Sequence, residues 1–171
     1  MHHKYLTHWG LFAALFCISA WICLPLGNLV FSLQTGVLFT ALFLLGGSAT
    51  SVIVFVYLLL GAVGLPVFSG FRGGIGMLLG PTGGYLFGFF ACSLLYWLLH
   101  PKTKLQKITA ALLGLVVCYS TGALWFRFGY AKGGNLGLIL LQSVFPYVLP
   151  DLLKLFLGLS LSKRLSSILP A

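Results

Sequence analysis

Residues 64–89 read GLPVFSGFRGGIGMLLGPTGGYLFGF and hold nine of the chain's 22 glycines together with two prolines. Glycine weakens helices and strands, and proline removes a backbone donor, so this stretch predicts irregular backbone. It is nevertheless apolar, with Phe68, Phe71 and Ile75 among its side chains. A loop with irregular backbone and apolar side chains is typical of a segment that covers a cavity.

The composition of the whole chain indicates that this cavity lies in a membrane protein. Of 171 residues, 60% are hydrophobic and 6% are charged, whereas about a quarter of the residues in a soluble domain are charged. The net charge of +9 does not indicate a nucleic-acid partner, because the basic residues occur in ones, twos and threes between apolar runs. We therefore expect an integral membrane protein whose solvent is the lipid bilayer.

The apolar runs predict an all-α fold, a compact bundle of six transmembrane helices in a single domain of residues 1–171. The predicted spans are Trp9–Leu24, Val30–Leu45, Thr50–Val63, Thr82–Leu99, Leu105–Phe126 and Pro150–Ile168. The second and third are short, so neighbouring helices are expected to shield them. A signal peptide is the alternative for the first segment, but no small-x-small cleavage site follows it.

Basic residues predict the orientation of the bundle in the cell membrane. One set of loops and ends holds six of them, namely Lys4, Lys102, Lys104, Lys107, Lys163 and Arg164. The other set holds Arg72, Arg127 and Lys132. This bias places both termini in the cytoplasm. The loop of residues 64–81 and a second long loop, residues 129–150, then lie on the outer side as predicted lids; the alternative is that both rest on lipid.

Several kinds of chemistry are excluded by what the motifs lack. Gly80 is followed by Pro81 and Thr82, so GGIGMLLGPT lacks the lysine of a nucleotide-binding P-loop. The four histidines stand at chain or segment ends and the four cysteines form no CxxC pair, so no metal site is predicted. With a single acidic residue there is no pair of titratable groups for acid–base catalysis. We predict neither an enzyme nor a bound cofactor.

Asp151 is the only acidic residue of the chain, and Lys154 follows it at i+3 in PDLLK. Residues i and i+3 share one face of a helix, so the two side chains can pair. A charge within a span is costly, so something must compensate it. One hypothesis is an internal ion pair that caps the helix start at Pro150; the other is the polar end of a ligand pocket. Gln34, at the outer start of the second span, could join that pocket.

These segments resemble a known family. GLPVFSGFRGGIGMLLGPTGGYLFGF, FSLQTGVLFTALFLLG and PDLLK are similar to the signature stretches of the BioY family, the biotin-specific S components of energy-coupling factor (ECF) transporters. The similarity runs from about Leu11 to Leu155. It implies a six-helix S component that captures biotin on the outside. It also implies partners, namely a transmembrane T subunit and two ATPase subunits that power release inside.

The resemblance also implies roles for individual residues in substrate binding. Asp151, which only accepts hydrogen bonds, would face the ureido N–H groups of biotin, and Lys154, which only donates, would meet the ureido carbonyl or the carboxylate. The remaining expected pocket residues are Gln34, Thr82, Gly83, Tyr85 and Arg72. For Tyr85, packing in the core is the alternative to stacking on biotin. Arg72 is bulkier than expected in this lid, and would either close over the carboxylate or face water.

Overall fold

The computed structural model describes residues 2–26, 29–132 and 135–168. Within them the chain forms eight helices and one two-stranded antiparallel hairpin. The helices are α1 His2–Trp21, α2 Gln34–Leu45, α3 Gly47–Ala62, α4 Ile75–Leu78, α5 Gly83–Leu99, α6 Lys104–Gly129, α7 Leu136–Ser143 and α8 Phe145–Ile168. The strands are β1 Cys23–Leu26 and β2 Leu29–Ser32.

Six apolar helices build the bundle and correspond to the six predicted spans. Lys104–Gly129 and Phe145–Ser167 are long and apolar enough to cross a membrane, and α1, α2, α3 and α5 are shorter apolar helices. Helix α5 packs along α6 and α3, and α2 packs along α8 and α1. The predicted all-helical class is confirmed.

The short helix α2 is shielded, as its length requires. Its 12 residues rise about 18 Å, much less than the roughly 30 Å of a bilayer core. Eight of them are buried, between α1 on one side and α8 on the other. Lipid therefore meets little of α2, and its polar first turn faces the interior of the protein.

The hairpin between α1 and α2 differs from the prediction, which had the second span begin at Val30. Residues 29–32 form β2, with Cys23 opposite Ser32 and Pro25 opposite Val30, and α2 begins only at Gln34. Proline lacks a backbone N–H and is tolerated in edge strands. In a two-stranded sheet both strands are edge strands, so Pro25 fits in β1. Aromatic and β-branched residues such as Phe31 and Val30 favour extended backbone. The hairpin brings residues 31 and 32 to the end of the bundle where α2 begins.

The second predicted loop is largely helical. Residues Leu136–Ser143 form α7, capped by Asn135, whose side-chain oxygen accepts from the backbone N–H of Gly137 at 2.9 Å. Helix α8 then starts at Phe145 rather than at Pro150. An apolar run bounded by a capping residue is a helix signal, which the sequence interpretation missed. Gly133 and Gly134 of this predicted lid lie outside the described residues.

The first loop, residues 64–82 and hereafter the lid, has the predicted irregular backbone with only the short helix α4 in it. Residues Phe68 and Arg72 pair across a tight turn. Gly74 has φ +94°, and at Gly73 a side chain would overlap the backbone carbonyl of Leu65, so glycine is required at both positions. Folded back on itself in this way, the lid packs on the ends of the helices.

Two tryptophans hold the lid from opposite sides. The Trp21 indole N–H, at the end of α1, donates to the Pro66 carbonyl at 2.8 Å, and the Trp21 ring stacks on Phe71 with 4.8 Å between centroids. On the other side, the indole N–H of Trp125 in α6 donates to the Gly80 carbonyl at 3.0 Å. Hydrogen bonds from the tryptophans therefore attach the lid to α1 and α6, neither of which is adjacent to the lid in sequence.

Candidate ligand-binding site

A cavity of about 480 Å³ lies beneath the lid, at the end of the bundle where α1 and α6 end and α2, α5 and α8 begin. We call it the main cavity. Its walls come from the hairpin, the lid and helices α2, α5, α6, α7 and α8. The apolar part of the lining consists mainly of Phe31, Phe68, Met77, Leu86, Phe89 and Leu115. A volume in the range of roughly 300–1,000 Å³ with a few convergent polar groups suits a small-molecule ligand.

Asp151 is the centre of the polar part of the main cavity. Its carboxylate is buried and accepts three hydrogen bonds. Oδ1 accepts from the Thr35 hydroxyl at 2.7 Å and from the Lys154 ammonium at 2.9 Å, and Oδ2 accepts from the Tyr119 hydroxyl at 2.7 Å. A carboxylate offers about four acceptor positions. Among the residues that the structure describes, no donor occupies the second position on Oδ2, which is open to a donor that enters the cavity.

Lys154 is equally enclosed, and all three of its ammonium donors have protein acceptors. They reach Asp151 Oδ1, the Thr35 hydroxyl at 2.9 Å and the backbone carbonyl of Ser32 at 2.7 Å. The ammonium also lies 3.7 Å from the centroid of the Phe31 ring, where a cation is attracted to the ring face. One side chain thus connects the hairpin, α2 and α8.

The position of Asp151 corrects one hypothesis from the sequence. Helix α8 begins at Phe145, so Asp151 is the seventh helical residue and Pro150 lies inside the helix. The positive end of a helix dipole acts within the first turn, so a cap at a helix start is the wrong explanation. The hydroxyls and the ammonium around the carboxylate provide the compensation. The ion pair of Asp151 and Lys154 lines the main cavity. The two charged side chains therefore pair with each other and also form the polar end of a pocket.

Gln34 joins the same polar end through a second set of hydrogen bonds. Its amide NH₂ donates to the Tyr57 hydroxyl at 2.7 Å, and its amide oxygen accepts from the Ser32 hydroxyl at 3.0 Å. The Tyr57 ring packs edge-on against Phe68 of the lid with 5.4 Å between centroids. Gln34 therefore connects the hairpin to the core and, through Tyr57, to the lid.

The other predicted site residues lie on the lid side of the main cavity. Thr82, Tyr85 and the exposed Arg72 all line it. The Tyr85 hydroxyl donates to the Ser143 carbonyl at 3.2 Å. Gly83 is not part of the lining, and a side chain there would overlap the carbonyl of Leu78. Its requirement for glycine comes from packing between the lid and the start of α5.

Sequence reasoning missed several residues of this site. Thr35 and Tyr119 bond the carboxylate directly, and Phe31 covers the ammonium. A phenol in the middle of a predicted span, away from either interface, was the available signal for Tyr119, because a buried hydroxyl needs a partner. For Thr35 the signal was its place beside Gln34 at the start of a helix.

The main cavity has the chemistry of a binding site. Among the described residues, no group of three His, Cys, Asp or Glu side chains stands close enough together to hold a metal ion. The Asp151 carboxylate in this cavity accepts hydrogen bonds from Thr35, Tyr119 and Lys154. What the cavity offers is one charged acceptor position, several hydroxyls and apolar walls.

Comparison with known proteins points to one family. The BioY family model matches residues 1–171. The chain is 36% identical over 164 residues to the biotin transporter BioY of Thermotoga maritima, covering 93% of this chain and 94% of that protein. It is 35% identical over 158 residues to the probable biotin transporter BioY of Pyrococcus horikoshii, covering 91% of this chain and 92% of that protein.

A solved structure agrees with the sequence comparisons. The crystal structure of the S-component for biotin from an ECF-type ABC transporter superposes with a TM-score of 0.85 at 25% sequence identity. The match covers 97% of this chain and 92% of that chain. The fold and the family comparison thus lead to the same group of membrane proteins.

Proposed function

The chain belongs to the BioY family, and on that premise we propose that it captures biotin as the substrate-specific S component of an ECF transporter. It is a membrane protein and not an enzyme. Its partners in this role are a transmembrane T subunit and two ATPase subunits, which power uptake. The observation that carries the proposal is the buried Asp151 carboxylate at the polar end of the main cavity, with one acceptor position that no described residue occupies.

Biotin matches the polar and apolar parts of this cavity. Its ureido ring has two N–H donors and one carbonyl acceptor, its thiophane ring is apolar, and its valerate chain ends in a carboxylate. We place one ureido N–H on the free position of Asp151 Oδ2, because an ionised carboxylate only accepts. The thiophane ring then meets the apolar walls around Phe68 and Phe89.

Lys154 has a different role in this proposal from the one expected of a free cation. Its three donors are satisfied by protein acceptors before any ligand enters. It holds the carboxylate in a fixed orientation, and it can contact a ureido carbonyl only by exchanging one acceptor, such as the Ser32 carbonyl. Ligand binding and the position of the hairpin are then coupled through Lys154.

The valerate carboxylate would lie toward the lid. Arg72, Thr82 and Tyr85 line that side of the cavity, and a guanidinium pairs well with a carboxylate. Gln34, one hydrogen bond from Tyr57, completes the polar end near Asp151. Gly83 contributes by letting the lid close on α5 rather than by touching the ligand.

We also propose the orientation of the protein in the cell membrane. The end opposite the main cavity carries Lys102, Lys104, Lys107, Lys163 and Arg164, and the cavity end carries Arg72, Arg127 and Lys132. The positive-inside rule then places the cavity outside and both termini in the cytoplasm. A fluorescent protein fused to the C-terminus would be fluorescent in cells, whereas activity of a fused alkaline phosphatase would contradict this orientation.

Calorimetric titration of the purified chain with biotin, without ATP, tests the proposal. We expect one biotin per chain and weaker binding in Asp151→Asn. An absence of binding in a monodisperse sample would contradict it. Two alternative functions predict other outcomes. Stabilisation by a different vitamin in a thermal-shift screen would indicate an S component for that vitamin. Biotin uptake in cells without T and ATPase subunits would indicate a solitary transporter.

A further inference from the structure

A second cavity of about 520 Å³ lies at the opposite end of the bundle. It is enclosed by the corner between α2 and α3 and by the corner between α5 and α6. One part of its lining is apolar, with Leu42, Phe43, Leu45, Tyr96 and Trp97. The other part is polar, with Ser48, His100, Lys102 and Lys107. The biotin proposal makes no use of this cavity.

The lysines of this second cavity have no acidic side chain to pair with. The chain has ten lysines and arginines and one acid, and that acid is bonded to Lys154 at the other end. The carboxyl end of α5 offers Lys102 only a partial negative charge. Among the described residues, no group with a full negative charge pairs with Lys102 or Lys107.

The amino end of α3 adds to the positive potential of the second cavity. Gly46 and Gly47 line it, and no side chain caps the helix. The first backbone N–H groups of a helix lack intrahelical acceptors, and its amino end is the positive end of the dipole. At Gly47 a side chain would overlap the backbone of Trp97, so α3 starts directly against α5, beside the lining residues His100 and Lys102.

Tyr96 supplies a second, independent observation that points to a ligand. It lines the second cavity and is 3% exposed, and its hydroxyl has no hydrogen-bond partner within the part of the chain that the structure describes. Leaving a buried hydroxyl unpaired costs free energy. An acceptor bound in this cavity would satisfy it.

We propose that the second cavity binds the phosphate headgroup of an anionic phospholipid. The phosphate would meet Lys102, Lys107 and the amino end of α3, since a helix start and lysines are both suited to phosphate. The acyl chains would lie on the exposed Trp97, Leu98 and Leu99 beside the opening. Cationic side chains and exposed apolar side chains therefore lie side by side here, which favours an amphiphile over inorganic phosphate.

Lipid retention by the purified full-length chain, measured by native mass spectrometry, tests the proposal. We expect the wild-type chain to retain phosphatidylglycerol in preference to phosphatidylcholine. The Lys102→Gln and Lys107→Gln double variant should lose that preference, by about fivefold per lysine. The matched control is Lys163→Gln with Arg164→Gln, which removes the same charge from the same end but outside the cavity. Its preference should stay within about twofold of the wild type.

Three results would overturn the proposal. If the control variant loses as much preference as the cavity variant, diffuse surface charge explains the binding. If inorganic phosphate displaces phosphatidylglycerol at equal concentration, the ligand is a free anion and not a lipid. If Tyr96→Phe retains phosphatidylglycerol as the wild type does, the hydroxyl is not part of the site. Monodisperse elution and an unchanged unfolding temperature show that each variant is folded.

Discussion

Lysine side chains have opposite environments at the two ends of the bundle. At the main cavity, Lys154 is 7% exposed and its ammonium donates to three protein acceptors. At the other end, Lys102 and Lys104 are exposed, and the chain has no further acid with which they could pair. The lesson is physical: within the bilayer core a charge requires an internal partner, whereas at the interface water, lipid phosphate and counterions suffice.

The largest effect on biotin binding should come from Asp151→Asn. The amide keeps the size of the side chain but removes the negative charge, to which both the entering ureido N–H and the Lys154 ammonium donate. We expect biotin affinity to fall about 10- to 100-fold, the range for hydrogen bonds to charged groups. Calorimetric titration measures this. Lys104→Gln, a charge change of the same size and opposite sign at the other end, should bind biotin like the wild type. An equal loss of affinity in Lys104→Gln would contradict the contrast between the two ends.

The largest effect on stability should come from Lys154→Met. Removal of the ammonium leaves a buried carboxylate held only by the hydroxyls of Thr35 and Tyr119, which should cost about 3 kcal/mol of folding free energy. Thermal unfolding in a fixed detergent reports it. Adding Asp151→Asn to Lys154→Met should recover part of the loss, because the unpaired charge is gone. Additive losses in the double variant would show that the two groups are not coupled.

Tyr119→Phe should have a smaller effect. It removes one hydroxyl donor from Asp151 Oδ2 and leaves the ion pair intact. We expect biotin affinity to fall by about 1 kcal/mol, because the carboxylate becomes less well oriented. Titration at several temperatures measures the change and its enthalpy. An affinity that rises would mean that Tyr119 competes with biotin for the carboxylate rather than positioning it.

The smallest effect is on the lid. Trp21→Phe keeps a ring to stack on Phe71 but deletes the hydrogen bond to the Pro66 carbonyl, which is worth about 1 kcal/mol. Dissociation of biotin, followed by stopped-flow displacement, should be about fivefold faster. Trp97→Phe at the opposite end is the matched control and should leave the dissociation rate unchanged. Equal acceleration in both would show that the effect is not specific to the lid.

Prediction from sequence succeeded where the signal is local. Apolar runs located six helices, because lipid contact requires long apolar segments. The predicted starts at Trp9 and Pro150 were late, since α1 begins at His2 and α8 at Phe145. Glycine and proline identified the lid, because positive φ at Gly74 and close packing at Gly73 tolerate no side chain. The pairing of Asp151 with Lys154 followed from i, i+3 spacing and was confirmed by the 2.9 Å contact.

What the sequence could not provide depends on contacts between distant segments. Thr35 and Tyr119 reach Asp151 across 116 and 32 residues of chain, and no single segment contains that information. The hairpin and α7 were missed for a different reason. Residues 29–32 are too short a run to carry a clear period, so their structure is decided by packing at the ends of the long helices. For Leu136–Ser143 the signal, an apolar run after the capping residue Asn135, was present but was not used.

The most direct test of the central claim pairs a variant with a changed ligand. Wild-type and Asp151→Asn proteins would be titrated with biotin and with biotin methylated on its ureido nitrogens. If Asp151 accepts a ureido N–H, the variant should lose at least about tenfold in affinity for biotin, and both proteins should bind the methylated ligand equally weakly. If Asp151→Asn weakens both ligands to the same extent, or neither, the carboxylate does not hold the ureido ring and the account is contradicted.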